Sequence, residues 1–205
     1  MAEQEIEVKF YINDIAVFEK RLVKIGASVK HPRVYEENLR FDTHDGVLTR
    51  EHRVLRLRRD SRFRLTYKDP ALGEDAVSIR KEIEFEVSSY EETRLLLEAL
   101  GYQVSVVYEK YRTTYEFYET EIVLDEMPYG NFVEIEGPDI PTIQLVAAKL
   151  GLNWEARSVA SYMALFDRLL EKRRLSIRNL TFAEFQGIMV LPADLGLQAS
   201  DLKVR

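Results

Sequence analysis

Charged and apolar residues alternate with period two through the first two-thirds of the chain, and each alternating stretch carries charges of nearly one sign. In Glu5-Ile6-Glu7-Val8-Lys9-Phe10 the odd positions are charged and the even positions apolar. Arg56 and Arg58 alternate with Leu55 and Leu57, and Arg62, Arg64, Thr66 and Lys68 alternate with Phe63, Leu65 and Tyr67. Glu82, Glu84 and Glu86 are interleaved with Ile83, Phe85 and Val87. Lys110 and Arg112 share one parity, Glu121, Val123 and Asp125 share another, and Val133-Glu134-Ile135-Glu136 closes the series. Period two marks β-strands with one face in a core and the other outside it. Like charges two residues apart on one face repel, which costs energy unless an opposite charge is shared. A metal ion resolves the acidic pairs Glu5/Glu7, Glu82/Glu84 and Glu134/Glu136. A polyanion resolves the basic pairs Arg56/Arg58 and Lys110/Arg112, with Arg64 and Lys68 on a further strand.

Amphipathic helices are predicted between these strands. Ile15, Phe18, Leu22 and Ile25 fall on one helical face. Leu96, Leu97 and Leu100 are expected to share another, after a Ser-x-x-Glu start at Ser88 or Ser89. Ile143, Val146, Ala147 and Leu150 mark a third, after Pro141. Each stops at a glycine (Gly26, Gly101, Gly151), the residue that most easily adopts the left-handed conformation ending a helix. Val159, Tyr162, Met163, Phe166, Leu169 and Leu170 mark a fourth, longer helix. Residues 1–172 are read as one domain. Residues 173–205, which begin within the cluster Glu171-Lys172-Arg173-Arg174, are read as an extension with one short helix over Phe182, Phe185 and Met189 and a loose tail. The expected class is α+β, with helices covering the apolar strand faces from outside and the charged faces turned inward. Closing such a sheet into a barrel removes its edges and leaves a polar lumen. An open sheet with a solvated charged face is the alternative that periodicity leaves standing.

Composition removes several chemistries. Cysteine is absent, so there is no disulfide, thiolate-bound metal or thiol nucleophile. Three scattered histidines (His31, His44, His52) do not make a metal site, so any metal is expected on oxygen ligands. A net charge of −6 speaks against coating nucleic acid. No apolar run is long enough to span a membrane, and the acidic start has no secretory pattern, so a cytoplasmic location is expected.

Ordered motifs then carry a resemblance. Glu5-Ile6-Glu7-Val8-Lys9 resembles the ExExK signature that opens CYTH proteins, the class named for class IV adenylyl cyclases and thiamine triphosphatases. Arg40-Phe41-Asp42-Thr43 resembles the family's YFDT strand, with Arg in place of Tyr. Leu55-Arg56-Leu57-Arg58, Leu65-Thr66-Tyr67-Lys68, Arg80-x-Glu82-x-Glu84 and Glu109-Lys110-Tyr111-Arg112 resemble its next four segments. Asp125 followed by Gly130-Asn131-Phe132-Val133-Glu134-Ile135-Glu136, and then Ser161-Tyr162, complete the order over roughly residues 3–170.

The resemblance implies a tunnel of eight antiparallel strands holding a triphosphate and one or two divalent ions, Mg²⁺ or Mn²⁺. It implies metal ligation by Glu5, Glu7, Asp125, Glu134 and Glu136. Phosphate binding falls to Lys9, Arg56, Arg58, Lys68, Lys110 and Arg112, and Lys9, Glu82 and Glu84 are candidates for the chemical step. The implied activity is metal-dependent hydrolysis of inorganic, thiamine or nucleoside triphosphate. The alternatives are a class IV cyclase that turns ATP into cyclic AMP and pyrophosphate, and a non-catalytic polyphosphate or nucleotide sensor. Phe182, Phe185, Ile188 and Met189 could cap the tunnel, cover the domain's own core or make a homodimer interface.

Overall fold

The alternation is realised as one antiparallel sheet wrapped by helices. The computed structural model describes residues 4–70 and 78–201. Its strands are β1 (Gln4–Ile12), β2 (Ser28–Thr43), β3 (Val54–Arg59), β4 (Phe63–Lys68), β5 (Ser78–Glu86), β6 (Tyr102–Phe117), β7 (Thr120–Met127), β8 (Gly130–Glu136) and β9 (Arg157–Ser158). They lie in the order β5-β4-β3-β2-β6-β7-β8-β1-β9, and β5 pairs with β1 as well as with β4. At the β1–β5 contact Ile6 stands opposite Ile79 and Glu7 opposite Ser78. On its other side β1 sets Glu7 against Glu136 and Lys9 against Glu134. The eight-strand expectation is one short. The two-residue β9 pairs with Lys9 and Phe10, continuing along β1 where its pairing with β5 ends at Glu7.

The apolar strand faces are covered as the periodicity requires. Val8, Phe10, Ile122, Leu124, Val133 and Ile135 pack against Phe18 and Leu22 of α1 (Ile15–Ile25) and Ile143 and Val146 of α4 (Ile140–Lys149). The Asp14 carboxylate accepts from the Val17 amide to start α1, and Gly26 ends it at a φ of 84°. The helix α3 (Tyr90–Ala99) sends Leu97 into a second cluster with Leu39, Phe41 and Leu57. Leu96 and Leu100, expected beside Leu97, are exposed. Leu96 is about 100° around the helix from Leu97, and Leu100 is the C-cap residue rather than part of the last turn. A one-turn helix, α2 (Val47–Arg50), lacked a periodic signal. It is held by Asp42, whose carboxylate accepts from the backbone amides of Thr43, Leu48 and Thr49. The Phe-Asp-Thr segment is therefore a structural cap.

The opposite strand faces change character along their length. Glu7 and Lys9 give way to Tyr11, Glu136 and Glu134 to Phe132, Arg112 and Lys110 to Tyr108, and Asp125 to Met127. Tyr11, Tyr108, Met127 and Phe132 join Leu165, Phe166 and Leu169 of α5 (Tyr162–Arg173) in a third apolar cluster. Leu180, Phe185 and Leu195 from the C-terminal segment complete it. As far as Asp201 that segment is anchored, contrary to the loose tail expected, and residues 202–205 lie outside the described residues. Leu180 exchanges backbone hydrogen bonds with Val107 and Glu109 at 2.9 Å each, and Ser200 donates to the Tyr11 carbonyl. The helix expected over Phe182–Met189 is a run of turns, and a short 3₁₀ helix forms at Pro192–Leu195 instead. Glu184 accepts from the amides of Arg178 and Asn179 and from the Asn179 side chain, which folds the chain back. Of the four residues with open roles, Phe185 covers the domain's own core, while Met189 is 79% exposed. Gly130 lets β8 approach β1 closely, since a Cβ there would stand 2.6 Å from the Tyr11 ring. No helix among the described residues is long and apolar enough to cross a membrane.

Candidate active site

The charged stretches converge on one cavity of about 1820 Å³. At the end nearest the apolar floor, β1, β6, β7 and β8 bring together an inner cluster. Lys9 Nζ meets Glu134 Oε1 at 2.6 Å, and Arg112 bridges Glu134 at 2.7 Å and Asp125 at 2.7 Å through Nε. Lys110 donates to Asp125 at 3.0 Å, and the Tyr162 hydroxyl donates to the same carboxylate at 2.8 Å. The Tyr162 ring lies under both lysines, with its centre 4.4 Å from Lys9 Nζ and 5.5 Å from Lys110 Nζ. Burial works against the charge on Lys9, but Glu134, Glu7 and Asp125 outweigh it and raise the pKa. Burial likewise opposes ionisation of Glu134, yet Lys9 and Arg112 hold it well below the usual carboxylate range.

An outer cluster forms on β3, β4 and β5. Glu84 accepts from Arg58 at 2.9 Å, Thr66 at 2.7 Å and Arg56 at 3.4 Å. Arg56 also meets the Tyr108 hydroxyl at 3.1 Å, Arg64 pairs with Asp60, and Lys68 pairs with Glu82 at 2.8 Å. Glu36 on β2 joins the two clusters. It is 1% exposed and lies 3.5 Å from Lys110, 3.6 Å from Arg58 and 3.9 Å from Arg112. Its burial would raise its pKa, but these cations lower it to about 2.

The six phosphate-binding candidates, Lys9, Arg56, Arg58, Lys68, Lys110 and Arg112, all line this cavity. So do the candidate acids Glu7, Glu82, Glu84, Glu134 and Glu136. The side chains of Glu5 and Arg80 lie outside the described residues. Asp125, expected as a metal ligand, is fully buried behind the cations, with both oxygens accepting from Arg112 and one also from Lys110 and Tyr162. Glu7 and Glu136 stand directly opposite each other on β1 and β8. Two facing carboxylates suit a hard cation that prefers oxygen. Among the described residues no three His, Asp or Glu side chains gather as a cage. An ion there would take its remaining ligands from phosphate and water, the habit of small divalent cations.

The profile of the CYTH domain matches residues 3–148. The chain belongs to the CYTH family. Its backbone is similar to that of a candidate adenylate cyclase from Vibrio parahaemolyticus, at a TM-score of 0.71 and 20% identity over 82% of this chain and 99% of that one. It is also similar to the PH1012 protein of Pyrococcus horikoshii, at 0.66 and 25% identity over 78% and 97%. A Hippeastrum protein, a candidate adenylyl cyclase with a dominant triphosphatase activity, aligns at 0.60 and 19% identity over 80% and 95%. No curated protein matches the sequence.

The CYTH match ends before α5. Tyr162 and the C-terminal part of the floor therefore lie beyond it. Sequence reading also missed Glu36 and Thr66 as members of the site. Glu36 shares its parity with Asn38 and Arg40, between the outward Leu39 and Phe41, so extending the alternation back from Phe41 would have turned it inward.

Proposed function

We propose that this CYTH protein is a divalent-metal-dependent triphosphatase whose substrate lies along a closed tunnel. The observation that carries the reading is the convergence of six cations from β1, β3, β4 and β6 on one cavity that also holds the facing carboxylates Glu7 and Glu136. The pairing of β5 with β1 supports closure, because it gives β1 through β8 a partner on each side, as a ring of eight requires.

In this reading the inner cluster grips one end of the phosphate chain and the outer cluster the other. Arginines offer forked donors to phosphate oxygens, and lysines act as compact charges. Glu7 and Glu136, with Glu134 beside them and Glu5 preceding them on β1, would hold Mg²⁺ or Mn²⁺. Such an ion supplies charge neutralisation at the phosphoryl oxygens. Asp125 and Tyr162 position Lys110 and Arg112 from behind rather than binding metal. Lys9, kept charged by Glu134, neutralises negative charge at the inner end of the phosphate chain. Phosphoryl transfer asks mainly for such positioning and neutralisation. Water attacks the terminal phosphorus, the bridging P–O bond breaks, and the electron pair leaves with the shortened phosphate. Glu82, whose ion pair among the described residues is with Lys68, is assigned to the water's proton. Glu84 is committed to Arg56, Arg58 and Thr66, and burial is outweighed by these arginines so that its pKa is lowered, which makes it a poor base.

The test is to incubate the protein with inorganic triphosphate, thiamine triphosphate and ATP, with Mg²⁺ or Mn²⁺, and separate the products. Orthophosphate release from inorganic or thiamine triphosphate is the expected result. Cyclic AMP and pyrophosphate from ATP would make the protein a cyclase, and binding without turnover would make it a sensor.

A further inference from the structure

Glu84 sits at the centre of the outer arginine cluster. Its Oε1 accepts from Arg58 at 2.9 Å and lies 3.7 Å from Arg64 Nη1. Its Oε2 accepts from Thr66 at 2.7 Å, Arg58 at 3.1 Å and Arg56 at 3.4 Å. One carboxylate thus sits amid three guanidinium groups and a hydroxyl, an array that also suits a phosphate. The Nε atoms of Arg56, Arg58 and Arg64 are buried and have no hydrogen-bond partner among the described residues. The Glu84 side chain is 26% exposed and lines the cavity, so it can turn aside without unpacking the wall. Glu36 cannot do the same, being sealed between β3 and β6.

We propose that Glu84 is a resident competitor for the arginine cluster and thereby a specificity-determining residue that restricts the site to polyphosphates. The inference rests on the triphosphate reading and deepens it. Any anion that reaches Arg56, Arg58 and Arg64 must displace or crowd a carboxylate already held there. Orthophosphate or sulfate offers these arginines little more than Glu84 does. A polyphosphate long enough to span the cavity also reaches Lys9, Lys110 and Arg112, and those added contacts offset the displacement. Selection then comes from penalising the short anion as much as from favouring the long one.

Glu84→Gln keeps the side chain's size and removes its charge. Calorimetric titration of wild type and variant with inorganic triphosphate, orthophosphate and sulfate, at fixed ionic strength, separates the outcomes. The variant is expected to bind orthophosphate and sulfate about tenfold more tightly, the order set by removing one negative charge a few ångströms away in a partly screened site. Triphosphate should gain less, so the preference for it shrinks. Glu84→Ala, which removes the carboxylate and leaves all four donors in place, should shift the same ratio in the same direction and serves if the glutamine variant does not fold. Unchanged or weaker binding of all three anions by the variants would overturn the proposal and leave Glu84 as a brace for the arginines. A wild-type protein that binds none of them would instead defeat the triphosphate reading, and the proposal with it.

Discussion

Asp125 shows how one buried carboxylate can organise a site from behind it. It fixes Lys110, Arg112 and Tyr162 at once. Removing one partner of a buried ionic network leaves uncompensated charge, so Asp125→Ala should lower stability by about 3–5 kcal/mol in urea unfolding. Tyr162→Phe removes one hydrogen bond and keeps the ring under the lysines, and should cost only about 1–2 kcal/mol. Glu36 predicts a pH effect. Its pKa is lowered from 4.5 to about 2, so its contribution is full above about pH 4.5 and is lost as pH falls through 2. That contribution is on the order of 3 kcal/mol. Glu36→Gln should therefore flatten the acid limb of the stability curve between those values. An unchanged acid limb would mean that Glu36 does not carry it.

At the scale of elements, the strands and α1, α3 and α4 were legible because each has a strong local signal. Alternation fixes which strand face is apolar, and Asp14, Ser89 and Asp139 each accept from a backbone amide at their helix start. The cavity cations were legible for the same reason, since parity puts them on one face whatever the partner strand is. What parity does not give is distance. Asp125 shares its strand's parity with Glu121, yet it lies too deep to line the cavity, and only the register of β7 against β6, with Arg112 opposite Asp125, settles that. The turns over Phe182–Gly187 escaped because their spacing fits a helix, while the decisive interactions come from afar: Phe182 donates its amide to Glu109 and packs its ring tilted against Tyr111, with ring centres 5.3 Å apart. Phe185→Ala should cost about 3–5 kcal/mol, as for other large buried aromatics, and Met189→Ala almost nothing. Equal losses in thermal unfolding would mean that this segment does not form part of the floor.

For the whole molecule, the sheet divides its work by face and by depth. The outer face is an apolar core under α1 and α4, the deep inner face an apolar floor under α5, and the space between them a charged chamber. The chamber's cations and carboxylates come from strands far apart in sequence, so each depends on the sheet for its place. Calorimetric titration of inorganic triphosphate in the presence of Mg²⁺ tests this account most directly, with wild type set beside Arg56→Met. Wild type should bind one equivalent saturably. The variant, folded by circular dichroism, should bind at least about tenfold more weakly, as expected for loss of a charge-assisted contact. Equal affinity in the two proteins, or no saturable binding to wild type, would contradict the claim that this chamber is a triphosphate site.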